Sequence, residues 1–267
     1  MKTDTPGWTR DPGLETTRET WERFGAMDPL WAVLTCKGTR GGRWDTRAFF
    51  ATGELEIAGL MALAERLHRP ARRDNALDFG CGVGRLTQAL ADHFGAVIGV
   101  DIAESMLAEA QRHNTKAERC VFVHNDRPDL RLFPDERFDL VYTSLVLQHL
   151  PPGVAMAYLR EFARVLRPGG LLVFAIPARL SHSGKAWALR IAPEALLRLY
   201  RRLRGRPYMP MTPVPMDEVL SVLTNVGLRV ECVEPDNTSG GPAWRGFRYA
   251  ASKPTEPFSQ QPQGCPR

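Results

Sequence analysis

Residues 76–101, ALDFGCGVGRLTQALADHFGAVIGVD, constrain the fold of this chain more than any other stretch. A short apolar run ending at Asp78-Phe79 meets three glycines at alternate positions, Gly80, Gly82 and Gly84. A helical pattern follows (Leu86, Leu90, Phe94), then a second apolar run, Val97 to Val100, closed by Asp101. The apolar period passes from strand to helix and back, so the stretch reads as one β-α-β unit. Glycines at the first strand end let backbone N–H groups approach a ligand, and a carboxylate at the second can accept both hydroxyls of a ribose. The layout suits a nucleoside-bearing cofactor; the plain alternative is a tight turn with no ligand. Arg85 stands where a dinucleotide fingerprint would have its last glycine, which argues against a dinucleotide. Its own side chain reads as a solvated helix residue outside the site.

The flanking sequence extends the alternation. A helix over ESMLAEAQRHN follows Asp101, with Met106, Leu107 and Ala110 spaced for one face. Residues 120–123 predict a third strand ending at His124-Asn125-Asp126, and FDLVYT (138–143) a fourth. AMAYLREFARVL is an amphipathic helix that Arg167-Pro168-Gly169-Gly170 should stop and turn. LLVFAIP is a fifth strand; MDEVLSVLTNVG is a helix, and RVECVEPD and WRGFRYAAS are two strands joined by NTSGGPA, an antiparallel hairpin. Strands separated by helices at this spacing predict an α/β, largely parallel sheet. One domain is expected over 14–252: a helical cap (14–70), a core (71–177), an insertion (178–215) and a C-terminal helix and hairpin (216–252). Residues 1–13 and 253–267, polar and rich in proline or glutamine, should be disordered.

The Asp-x-Gly-x-Gly-x-Gly pattern resembles motif I of class I S-adenosylmethionine-dependent methyltransferases. So does the order of the remaining landmarks: Asp101 after strand two, Asp126 after strand three, FDLVYTSLVLQHL across strand four, VLRPGG before strand five. The resemblance implies a Rossmann-like seven-stranded sheet with a C-terminal antiparallel hairpin, and S-adenosylmethionine as cofactor. It further implies that Asp78, Gly80, Gly82 and Gly84 line the methionine part and that Asp101 accepts the ribose hydroxyls. Ile102 and Met106 would flank the adenine, Asp126 or the adjacent Asn125 would bond its edge, and Thr143 and Ser144 would lie near the methionine ammonium.

Such a donor carries an activated methyl group, so orientation does much of the work. A hydroxyl acceptor must still lose its proton, a role suited to a histidine of near-neutral pKa. His149, just after strand four, is the first candidate base and His182, in the insertion, the second; local packing is the plain reading of both. The Asn-Pro-Pro-Tyr sequence that favours planar nitrogen acceptors is absent after strand four, and no added RNA-binding module is visible. These features favour a small-molecule acceptor, foremost O-methylation of a sugar or secondary metabolite. C- or N-methylation of a lipid-like or quinone acceptor is the alternative, followed by a nucleic-acid acceptor or a non-catalytic cofactor binder. The insertion carries eight basic residues between Arg179 and Arg206 against Glu194 alone, although the whole chain is only +5. A solvated lid face explains this; so does transient contact with an anionic or lipid-linked acceptor.

Of the four N-terminal tryptophans, Trp21 and Trp31 are expected to pack on the core, whereas Trp44, Phe49 and Phe50 could close over the cofactor. The five scattered cysteines form no Cys-x-x-Cys pair, so reduced thiols and no metal are expected. With no apolar signal region and no run of about 18 apolar residues, a cytoplasmic protein is expected.

Overall fold

The computed structural model describes residues 12–181, 211–236, 238 and 243–255. The cap contributes α1 (Pro12–Met27), α2 (Pro29–Val33) and α3 (Thr46–Arg66). The core then runs β1 (Asn75–Phe79), α4 (Arg85–Leu90), β2 (Ala96–Asp101), α5 (Glu104–Arg112), β3 (Cys120–His124), β4 (Phe138–Thr143), a 3-10 turn (Leu147–His149), α6 (Pro152–Val165) and β5 (Leu166–Leu180). After the undescribed part of the insertion come α7 (Met216–Asn225), β6 (Arg229–Asp236) and β7 (Trp244–Ser252). His182, the basic helix expected over 193–206 and most of the NTSGGPA loop lie outside the described residues, as do 1–11 and 256–267.

The seven strands form one sheet in the order β3-β2-β1-β4-β5-β7-β6. The first five run parallel, and β7 pairs antiparallel with both β5 and β6. The apolar runs of β1 and β4 are buried on both faces, as a parallel sheet covered by helices requires. One core side packs α6 and α7 against Phe79, Val141, Leu172 and Tyr249; the other packs α3 and α4 against Ala76, Leu140 and Val173. The chain leaves β1 towards β2 on one side and β4 on the other, so the carboxyl ends of these strands open a crevice at the point where the order reverses.

Strand β5 departs from the expectation. Pro168-Gly169-Gly170 reads as a turn, yet the strand begins at Leu166, paired with Phe138, and a register irregularity before Leu140 absorbs the extra residues. Its far end reaches Leu180, three residues into the segment expected to be insertion, because Trp244 and Arg245 of β7 pair with it there.

The cap is fastened to the core by α1. The start of α5 has Ala103 at its N-cap position, which offers no side-chain acceptor. Glu22 of α1 takes that role, accepting from the N–H groups of Glu104 at 2.6 Å and Ser105 at 3.1 Å. The Ser105 hydroxyl donates back to the Glu22 carbonyl at 3.1 Å. No helix among the described residues is long and apolar enough to cross a membrane.

Candidate functional site

The crevice at the strand ends deepens into a cavity of about 860 Å³ of empty space, partly open to solvent. Gly80, Gly82, Asp101, Ile102, Met106, Asn125, Ser144 and His149 all line it. The glycine turn leaves β1 with φ of +75° at Gly80, +52° at Gly82 and +79° at Gly84, a region L side chains rarely adopt. At Gly80 space is short as well: a Cβ would lie 2.2 Å from Val146 Cγ2.

Asp101 sits at the end of β2, buried, with both oxygens already anchored. Oδ2 accepts from Gly82 N at 2.7 Å and Oδ1 from Ala103 N at 2.9 Å. A carboxylate has about four acceptor positions, so two remain for incoming donors. Burial raises its pKa and the backbone donors of Ala103, Gly82 and Ile102 oppose that rise.

Four expected site residues, Asp78, Gly84, Asp126 and Thr143, do not line the cavity. Asp78 lies behind the glycine turn, fully buried, accepting from the Thr87 hydroxyl at 2.7 Å. Burial pushes its carboxyl up to about 7 against that bond and the nearby Arg85 charge. Gly84 serves packing: a Cβ there would meet Phe122 Cζ at 2.6 Å. Between Asn125 and Asp126, the cavity takes Asn125. Asp126 is exposed, because strand β3 ends with His124 opposite Asp101 and the next residue alone turns inward. The Asn125 amide donates to the Asp129 carbonyl at 2.9 Å, which fixes the loop that follows β3. Thr143, just below the cavity, is buried with a hydroxyl that has no partner among the described residues; its neighbour Ser144 reaches the wall.

Other wall residues carry no local signal in the sequence. Arg85 is 3% exposed rather than solvated, and faces the cavity. Its Nη2 lies 2.7 Å from Glu56 Oε2 of α3. Trp21 reaches the wall too, with His149 edge-on to it at 5.4 Å. Trp21 and Trp31 pack against a core cluster as expected, but it is Trp21, not Trp44, Phe49 or Phe50, that also meets the cavity. Phe49 is fully buried and Trp44 ties its indole N–H to the Leu34 carbonyl at 3.1 Å, neither of them on the cavity wall. Leu145 enters the wall at φ +62°, a left-handed backbone costing a bulky residue roughly 1 kcal/mol. Cys81 lines the turn, but burial beside Asp101 and Asp78 pushes its thiol far up, so it stays protonated and weakly nucleophilic.

The wall thus combines polar groups, the glycine turn, Asp101 and Asn125, with apolar side chains, among them Leu14, Val33, Ile102, Met106, Val146 and Leu150, and with His149, which packs against Trp21.

Comparison with known proteins bears on this core. Residues 76–170 match the family model described as a methyltransferase domain. The chain is 39% identical over 101 residues to a demethylmenaquinone methyltransferase of Staphylococcus saprophyticus, covering 37% of this chain and 42% of that protein. It is 28% identical over 227 residues to the 27-O-demethylrifamycin SV methyltransferase of Amycolatopsis mediterranei, covering 82% and 75%. The chain thus spans less than half the length of the first relative, through the core. In fold it resembles the magnesium protoporphyrin IX methyltransferase of Synechocystis solved with bound S-adenosylmethionine. The TM-score is 0.59 at 19% identity, covering 92% of this chain and all of that one.

Proposed function

We propose that this chain, whose core carries a methyltransferase domain match, is a class I S-adenosylmethionine-dependent methyltransferase that methylates a hydroxyl of a small, largely apolar molecule. The observation that carries the proposal is the mixed lining of one cavity: a buried carboxylate and a glycine turn suited to a nucleoside, together with apolar side chains and a histidine. The polar groups and the Ile102–Met106 ledge fit the cofactor on their own terms. Asp101 keeps two acceptor positions for ribose hydroxyls, Ile102 and Met106 supply an apolar ledge for a base, and Gly80 and Gly82 leave no Cβ in the way. Bound there, S-adenosylmethionine supplies a methyl group activated by its sulfonium.

What is left to the chain's own residues is to hold the acceptor oxygen in line and to take its proton. His149 lines the same cavity, with the Gln148 amide 3.1 Å from its Nε2 and Trp21 against its ring. As base, it removes the hydroxyl proton as the oxygen–carbon bond forms. His149→Ala is expected to lower kcat about 100-fold while leaving cofactor affinity unchanged; an unaltered kcat would exclude the role. Apolar phenols and alcohols offered with methyl-labelled S-adenosylmethionine should yield labelled ethers. Label found on ring carbon instead would support a quinone-like acceptor, the second reading, which the apolar wall and the menaquinone-named relative favour.

Asp78 gives the site a pH dependence. Its folded pKa, about 7, lies above the ordinary carboxylate value. The fold therefore binds the extra proton, and Asp78's contribution to stability falls as pH rises from the unfolded pKa through about 7. A sulfonium cation in the cavity, on the far side of the glycine turn from Asp78, favours the ionised form, so S-adenosylmethionine should bind about threefold tighter at about pH 8 than at about pH 6. S-adenosylhomocysteine, with a neutral sulfur, should change much less. Calorimetry with both ligands checks this; parallel pH profiles would remove Asp78 as the cause.

A further inference from the structure

We propose that the side-chain carbonyl of Gln148 accepts from His149 Nε2–H, so that Nδ1 is the ring nitrogen that takes the acceptor's proton; this rests on the base reading above. Gln148 is 4% exposed and does not line the cavity, whereas His149 does. A buried carboxamide costs free energy unless it is hydrogen-bonded. Among the described residues its side chain makes one polar contact, the 3.1 Å approach of the amide nitrogen to His149 Nε2. Its oxygen is buried without a partner among those residues. An apolar side chain of the same shape would fill this space at lower cost, so what the amide adds is its hold on the ring.

Neighbouring side chains on a helical turn ordinarily point apart, yet these two meet, on a turn held from both sides. The Gln148 backbone carbonyl accepts from Thr212 N at 2.8 Å, in the segment leading to α7. The His149 carbonyl accepts from the Thr17 hydroxyl of α1 at 3.3 Å. Trp21, one turn further along α1, lies edge-on to the imidazole at 5.4 Å. The ring is thus fixed with Nε2 on the amide.

That contact decides the chemistry. A neutral imidazole has one N–H and one lone pair, and the partner of one nitrogen sets the state of the other. An NH2 group against Nε2 would occupy the lone pair there, place the hydrogen on Nδ1 and leave no base. The two ends of a carboxamide have the same shape, and half a turn gives the orphaned oxygen an N–H partner and leaves the lone pair on Nδ1. As the acceptor oxygen bonds to the methyl carbon, its proton passes to Nδ1 and the carbon–sulfur electron pair stays on sulfur. Nε2–H remains on Gln148 throughout, in a bond that strengthens once the ring is charged. The proton then leaves Nδ1 for solvent. Gln148 acts through His149 and is a positioning residue.

Nitrogen-15 NMR of the histidine-labelled full chain reads the tautomer without turnover, His149 being identified by its absence from His149→Ala. Above about pH 8, where an imidazole is ordinarily neutral, the wild type should show the Nε2–H form. Gln148→Leu should populate both tautomers and lower kcat about tenfold, measured with the phenol or alcohol labelled in the assay above. Gln148→Glu, an acceptor in either orientation, should keep the Nε2–H form. It should restore most of the lost kcat at about pH 9, because a carboxylate holds the ring protonated at lower pH. An Nδ1–H wild type, or a tautomer unmoved by Gln148→Leu, would overturn the proposal. If Gln148→Leu unfolds by circular dichroism, the wild-type tautomer and Gln148→Glu decide the matter. An unaltered kcat in His149→Ala would refute the base reading and the proposal with it. A large loss there beside an Nδ1–H wild type would refute the proposal alone.

Discussion

Asp101→Asn is expected to weaken S-adenosylmethionine binding by roughly 100-fold. The carboxylate is held by two backbone donors, Gly82 N at 2.7 Å and Ala103 N at 2.9 Å, one on each oxygen. An amide in the same place must turn its NH2 towards one of those N–H groups, setting donor against donor, and it offers one fewer acceptor to the ribose. Hydrogen bonds to a charged group contribute about 1.5–3 kcal/mol each, and losing the equivalent of one or two of them gives a change of this size. Calorimetry measures the affinity, and a melting curve without ligand separates any loosening of the glycine turn from the loss of ribose contacts. A change under about threefold would remove Asp101 from the cofactor site.

The largest stability effect is expected at the opposite end of the sheet, at Asp139→Ala, with a loss of about 3 kcal/mol. Asp139, 2% exposed at the start of β4, accepts from the backbone N–H groups of Asp74 and Asn75, each at 2.8 Å. Its other oxygen faces Arg167 Nη1 at 3.0 Å. Removing the carboxylate strands two amides where the chain enters β1. The guanidinium suffers less, because it is a quarter exposed and keeps Asp74 at 3.3 Å and the Glu136 carbonyl at 3.0 Å. Asp139→Asn, which retains an acceptor but loses the charge, should cost about half as much. Urea unfolding monitored by circular dichroism gives both values. Cofactor affinity measured well below the midpoint should be unchanged, because this anchor lies at the amino ends of the strands and the cavity at their carboxyl ends. A loss below about 1 kcal/mol would mean that the freed amides find other partners.

These residues also mark where sequence stops being legible. β1, β2 and β4 could be read because each is an apolar run ended by a turn or a carboxylate, signals contained within a few residues. Asp101 was legible for the same reason. Arg85 was not: an arginine on a helix looks solvated until Glu56, 29 positions earlier on another helix, is packed against it. The choice between Asn125 and Asp126 turned on a single step of strand direction, which depends on the pairing of His124 with Asp101. Trp21 and Trp44 carry equal aromatic signals, and only the docking of α1 and α3 decides which ring meets the cavity. At β5, pairing with β4 and β7 overrode local turn chemistry that pointed clearly to a loop. The left-handed Leu145 had no precursor in the sequence, since nothing about leucine favours that conformation.

The capping of α5 by Glu22 has a consequence for dissecting the protein. The family match starts at residue 76, but a fragment cut there would expose the Glu104 and Ser105 amides and strip Leu14, Thr17 and Trp21 from the cavity wall. The smallest piece able to hold its ligand therefore begins some sixty residues upstream of the matched family segment, at α1 (Pro12–Met27). Fragments trimmed to the matched segment should yield a frayed α5 and a half-walled cleft, and swapping the N-terminal region between relatives should exchange acceptor preference and helix integrity together.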